Sequence, residues 1–231
     1  PMTVGNLLQQ LYNIADTLII GQFVGANALA AVGSSYTLMT FLTSILLGLS
    51  MGSGVAVSIA FGQKDWDRLK RGVFLSFSGI GLAAVALSSL AFLGIDEIMR
   101  LLQVPEEIYE LMRRYLLVIF TGIGGTFLYN YLACLLRAIG NSVTPLIFLG
   151  ISAVLNVVLD LLFVLSAGWG VAGTAFAPVI AQWLSGIGLL LYTVRKAPEL
   201  LPGRCHMKWK REEATGIFRL SMITSVQQSI M

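Results

Sequence analysis

Two carboxylates stand where carboxylates are costly. Asp16 and Asp160 both fall inside apolar stretches long enough to cross a bilayer, and neither shares its stretch with a Lys or Arg. A charged Asp near the bilayer centre costs roughly 2.5–3.5 kcal/mol on insertion scales, so such a residue normally faces a bundle interior or a wet cavity and marks a functional position. With no fixed basic partner, the charges it can meet are protons or small cations that come and go. Ser152, Asn156 and Asp160 follow one another at intervals of four, which stacks them on one helical face. Asn156 can therefore give an amide donor to the Asp160 carboxylate, or a carbonyl oxygen to a cation beside it. A second polar stripe, Asn6, Gln9, Gln10, Asn13, Asp16 and Thr17, runs in steps of three and four. In hydrocarbon such a face turns inward, where its amides either join helices or line a cavity.

Six apolar stretches position these residues: about 1–22, 33–61, 72–99, 112–137, 143–166 and 170–194. Each exceeds the ~20 helical residues that span the hydrocarbon core. The chain is 56% hydrophobic and 12% charged, with a mean hydropathy of +0.82; a soluble domain carries about twice that charge. The period-two alternation of a lipid-facing barrel is absent, and 24 glycines suit closely packed membrane helices. The expected fold is all-α: a polytopic membrane bundle of six transmembrane helices over 1–194. A cytoplasmic linker over 195–215 and the start of a seventh helix over 216–231 follow, as in one piece of a longer polypeptide.

Twelve Lys and Arg residues fall on one side of these spans, from Lys64 to Arg219, against Arg100, Arg113 and Arg114 on the other. The basic side is the cytoplasmic one. This asymmetry accounts for the net charge of +3 without any nucleic-acid partner. In that orientation both aspartates sit near the outer, C-terminal ends of their helices, where the helix dipole opposes a negative charge, so capping does not explain them. Cys134 within a span and Cys205 in a cytoplasmic loop are not expected to pair. His206 beside Cys205 lacks the further ligands of a metal site and reads as loop filler. Gly62 and Gly140 are placed to stop helices, Asn141 or Ser142 to cap the next one, and Pro145 is tolerated in its first turn. A faint echo links the aspartate spans: Asp16 precedes Gly25-Ala26-Asn27-Ala28-Leu29-Ala30, and Asp160 precedes Gly170-Val171-Ala172-Gly173-Thr174-Ala175.

Taken together, several segments resemble the multidrug and toxic compound extrusion (MATE) family of cation-coupled antiporters. They are Tyr12-Asn13-Ile14-Ala15-Asp16-Thr17 leading to Gly21, Ala30-Ala31-Val32-Gly33, Gly62-Gln63, Leu136-Arg137-Ala138-Ile139-Gly140-Asn141 with Pro145, and Asn156 with Asp160. The resemblance implies the N-terminal lobe of a twelve-helix carrier, with the C-terminal lobe as its partner. It also implies that Asp16, Asn156 and Asp160 line a coupling-ion site for H⁺, or for Na⁺ held by the same three residues, and that no other cofactor or metal is needed. Thr174, the hydroxyl early in the sixth span, answers to the one that completes this site in some relatives. Pro1 resembles a proline at which the first helix bends. Gln9 and Asn13 on the polar stripe are candidates for the cavity lining; Gln182 and Trp183 either line the cavity or pack. The implied activity is export of small organic cations across the cell membrane by alternating access, with no enzymatic step. A lipid-linked oligosaccharide flippase of the same superfamily is the alternative, disfavoured by the lack of intramembrane Arg or Lys. An intramembrane aspartyl protease is disfavoured further, since no Gly-Asp active-site pair occurs.

Overall fold

The computed structural model describes residues 2–203, 206 and 211–230, without the side chains of 2–4, 6, 8, 11, 12, 211–214, 229 and 230. Pro1, Cys205, Trp209, Lys210 and the side chain of Asn6 therefore lie outside the described residues. All regular structure among those described is helical: α1 (Met2–Ile19), α2 (Ala26–Gly62), α3 (Trp66–Leu93), α4 (Ile95–Leu101), α5 (Glu106–Thr121), α6 (Ile123–Ala138), α7 (Val143–Leu161), α8 (Gly170–Lys196) and α9 (Arg211–Ile230). A π-helical turn follows α1 (Ile20–Val24) and another follows α7 (Leu162–Ser166).

Local chemistry sets several helix ends. The Asp65 side chain accepts from the Arg68 N–H at 2.9 Å and caps α3. Gly140, at φ 89°, closes α6, and the Asn141 side chain accepts from the Thr144 N–H at 3.2 Å to open α7. Pro145 is the third residue of α7, where its missing N–H costs nothing. At the end of α2 the left-handed position falls to Lys64, at φ 56°, rather than to Gly62, which remains helical.

The spans differ from the sequence reading in three ways. α2, α3, α7 with its π turn, and α8 are each long and apolar enough to cross a membrane; α5 and α6 make a fifth crossing only as a pair bent by 44°. Among the described residues α1 contributes only a shorter apolar segment, 13–24. The third stretch breaks at Gly94, after which α4 carries Asp96 and Glu97. The helix of the fourth span reaches back to Glu106 and breaks at Gly122.

The main core lies between α2, α3, α5, α6 and the later half of α8. At its centre the Tyr131 hydroxyl meets Ser76 Oγ at 2.7 Å and the Val73 carbonyl at 3.0 Å, tying α6 to α3. Tyr129 donates to the Pro145 carbonyl at 3.0 Å and fixes α6 against the first turn of α7. The bend between α5 and α6 is filled by Trp183. Its ring lies so close over Gly124 and Gly125 that a Cβ there would stand 2.9–3.0 Å away, and its indole N–H donates to the Thr121 carbonyl at 3.1 Å. Trp183 is thus a packing residue that also satisfies a main-chain group left over by the bend.

Outside the bundle, Asp96 accepts from the Tyr109 hydroxyl and from Arg113 Nε, each at 3.1 Å, and these two contacts hold its carboxyl below the usual carboxylate range. On the opposite side His206 Nε2 lies 2.9 Å from Asp67, so this residue does more than fill a loop: it pins the connection after α8 to the start of α3.

Candidate functional site

α7 shows two faces. Ile147, Ile151, Val154 and Val158 are exposed at helical spacing, whereas Ser152, Asn156 and Asp160 are buried on the other side, Asp160 completely. The apolar stripe suits lipid; the polar one is turned onto α1 and α8, which flank α7. α1 lies close along it, with Gly5 against Leu146 and Leu149. This arrangement sets Asp16 and Asp160 beside each other, each within range of the other's charge. Two such carboxylates can hydrogen-bond only with a proton between them. Both oxygens of Asp160, Oδ1 of Asp16 and both amide atoms of Asn156 are buried without a partner. Buried polar groups are paired in folded proteins almost without exception, so five unpaired atoms in one spot mark a place built for something that comes and goes.

The π turns explain how the aspartates reach this position. Gly25 N–H donates to the Ile20 carbonyl and Ala167 N–H to the Leu162 carbonyl, both at 3.1 Å and both five residues apart. Each aspartate helix therefore continues through one wide turn beyond its α-helical end, which sets Asp16 and Asp160 deeper than helix termini would. Wide turns of this kind often accompany functional sites. The pair also gives the sequence echo a structural form: an aspartate helix, a π turn, then a helix of small residues, twice. Phe163 stacks on Trp169 at 5.0 Å to close the second unit.

α8 contributes a third row, Thr174, Pro178 and Gln182, again four residues apart. Gln9, Ser152, Asn156, Pro178 and Gln182 line a cleft of about 20 Å³, room for about one water-sized particle. Gln182 Oε1 is buried and unpaired there. Thr174 is fully buried and donates its hydroxyl proton to the Val171 carbonyl at 2.9 Å, so its oxygen can only accept from, or coordinate, a third group. Pro178 has no N–H to offer the Thr174 carbonyl four residues earlier, which leaves a main-chain oxygen over on the same row. The structure thus unites Asp16 with Asp160, and Gln9 with Asn156 and Gln182. Asn13 is half-buried and does not line the cleft, and Gln10 and Thr17 are exposed. Pro178 and the two π turns went unnoticed in the sequence; a proline within the sixth span was the available signal for the first.

Among the described residues no group of three or more His, Cys, Asp or Glu side chains comes together. What does gather is the two carboxylates with the Asn156 amide one turn from Asp160, a set of hard oxygen donors.

The family model described as MatE matches residues 1–162. The chain belongs to the MatE family. Among MatE relatives, it is 30% identical over its whole length to the probable multidrug resistance protein YpnP of Bacillus subtilis, of which it covers 52%. It is 28% identical to the probable multidrug resistance protein NorM of Thermotoga maritima, with 97% of this chain and 49% of that protein aligned. In fold it is similar to an outward-facing multidrug resistance MATE family transporter, with a TM-score of 0.92 at 24% identity, over 99% of this chain and 51% of the other. The chain spans about half the length of the MatE relatives it matches.

Proposed function

We propose that this chain is the N-terminal lobe of a cation-coupled MatE antiporter that exports organic, mainly cationic or amphipathic compounds by alternating access. Asp16, Asn156, Asp160 and Thr174 form the coupling-ion site. The observation that carries this reading is the pair of facing carboxylates whose oxygens lack donors inside a membrane bundle. One proton, or one Na⁺, between them would satisfy atoms that nothing else among the described residues satisfies. Asn156 would orient the Asp160 carboxylate or add a neutral oxygen, and Thr174 would add another. Gln9 and Gln182 would line the approach, with Asn13 on the same face of α1. A bound cation shifts the balance between outward- and inward-open states only by binding them unequally. The site could do so because α1, α7 and α8 supply its oxygens from separate helices, which can shift relative to one another. The six-span topology, the cytoplasmic connection around 195–215 and residence in the cell membrane belong to the same reading, as does a second lobe that completes the substrate cavity. The relatives are named for drug resistance, which leaves the flippase alternative without support.

The deciding experiment uses the full-length carrier in vesicles under an imposed proton or sodium gradient, with a fluorescent organic cation as cargo. Asp16→Asn and Asp160→Asn are each expected to insert at normal levels and to lose gradient-driven export. Wild-type export rates in both variants would make the two residues structural and the coupling site wrong.

A further inference from the structure

The connection between α3 and α5 carries a cavity that the aspartate site does not use. α3 runs for 28 residues from Trp66 to Leu93, a length of about 42 Å at 1.5 Å per residue. A bilayer with its headgroup layers is about as thick, roughly 40–45 Å. With the basic start of α3 on one side of the membrane, the segment 94–105 lies at headgroup depth on the other. Leu93 and Leu101 are 86% and 83% exposed at its two ends. Between α4 and the first turns of α5 opens a cavity of about 550 Å³, lined by the buried Met99 and by Val104 and Tyr109. Its polar lining carries both signs of charge: Arg100 and the Gln103 amide, with Glu106 and Glu110. Arg100 engages Glu97 through Nη1, at 3.2 Å, and Glu110 is paired with Arg114 at 2.9 Å. Glu106 has no ion pair among the described residues. Gln103 closes α4 at φ 52°, with the Val104 N–H bonded to the Met99 carbonyl at 3.2 Å. A glycine would adopt that backbone more readily; the glutamine brings an amide to the cavity instead.

We propose that this cavity binds the headgroup of a zwitterionic phospholipid with a primary ammonium group, a phosphatidylethanolamine, from the leaflet opposite the basic loops. The inference takes its depth from the membrane-spanning topology proposed above and owes nothing to the direction of export. Charge complementarity selects the occupant. The Arg100 guanidinium keeps N–H donors beyond the one on Glu97, and such a fork suits a phosphate; the Gln103 amide adds another donor. The Glu106 carboxylate, with Glu110 beside it, accepts from the ammonium. A primary ammonium has three protons to donate, whereas a quaternary choline group has none. A purely anionic headgroup would bring its charge against two carboxylates, and a purely cationic one against Arg100. The exposed Leu93 and Leu101 then lie against acyl chains, which a free phosphate ester lacks. Structural roles explain these residues less well. An exposed pair such as Arg100 with Glu97 adds little to stability. Glu106 serves the dipole of α5 no better than Glu107, which does not line the cavity.

The test uses the purified full-length carrier, with bound lipid counted by native mass spectrometry. It is titrated with phosphatidylethanolamine, phosphatidylcholine or phosphatidylglycerol of one acyl composition. The ethanolamine lipid is expected to bind about tenfold more tightly than either of the others. Arg100→Gln and Glu106→Gln are each expected to erase that preference, and Glu107→Gln to keep it. Gln103→Gly is expected to weaken binding several-fold without lowering the thermal midpoint, which separates loss of the amide from loss of the fold. Absence of the preference in the wild-type carrier, or its persistence in either charge variant, would overturn the proposal. Glycerophosphoethanolamine, the same headgroup without acyl chains, is expected not to compete. Displacement of the lipid by equal amounts of it would make the ligand a soluble phosphate ester and the lipid assignment wrong. If a charge variant fails to accumulate, Gln103→Gly decides, and unchanged binding there would equally overturn the site. A carrier that exports under neither gradient yet keeps the ethanolamine preference would refute the antiporter reading and leave this site standing.

Discussion

Asp160 is sealed from solvent with two oxygens unpaired, while Thr174 has already spent its only proton on its own helix. The threonine can therefore serve the site as a neutral oxygen and not as a donor. Thr174→Ser is expected to leave export unchanged, and Thr174→Val to weaken the apparent affinity for the coupling cation about fivefold, the worth of one hydrogen-bond-strength contact of about 1 kcal/mol. Titration of transport rate against the driving cation reads this directly; unchanged affinity in the valine variant would remove Thr174 from the site. The carboxylates and Asn156 were legible in the sequence because a charge inside an apolar run is conspicuous and because spacing by four fixes a shared face. The proximity of Asp16 to Asp160 came from the family resemblance alone, since it depends on which two of six helices pack together, and composition carries no trace of that. The oxygen left over by Pro178 escaped for a different reason: a proline in a membrane helix reads as a kink before it reads as a ligand.

At the level of elements, the bend between α5 and α6 shows how one side chain stabilises an irregularity. Trp183 covers Gly124 and Gly125 and also accepts responsibility for the Thr121 carbonyl. Trp183→Phe keeps an aromatic ring over the glycines and is expected to cost about 1 kcal/mol, the hydrogen bond alone. Trp183→Ala also removes the ring, which is only partly buried, and is expected to cost about 2 kcal/mol. Thermal unfolding of the purified protein in detergent should rank the two in that order; equal losses would show that the hydrogen bond dominates. The helix ends at Asp65, Gly140 and Asn141 follow from local chemistry, which the sequence displays. The breaks at Gly94 and Gly122 do not, because they fall within apolar runs whose composition never changes. The π turns are harder still, differing from ordinary helix by a single residue in a hydrogen-bond ladder.

For the whole molecule, sidedness is the property most open to direct measurement. In the proposed orientation Arg68, at the start of α3, faces the cytoplasm and Glu107, at the start of α5, faces outward. In the full-length carrier within intact cells, Glu107→Cys is expected to react with an impermeant thiol reagent and Arg68→Cys to react only after permeabilisation. The reverse pattern would invert the topology and with it the direction in which the ion site is loaded. Overall hydropathy made the membrane bundle plain from the sequence, and within it α1 trades greasiness for the polar stripe. That trade bears on biosynthesis. Alone in hydrocarbon, α1 would carry Asp16 at a cost of roughly 2.5–3.5 kcal/mol with several amides besides, whereas α2 is apolar over a membrane-spanning window and follows after one short turn. The two helices are best delivered to the bilayer as a hairpin, the second drawing in the first, and α1 acquires a settled place only once α7 has followed and can shelter its aspartate.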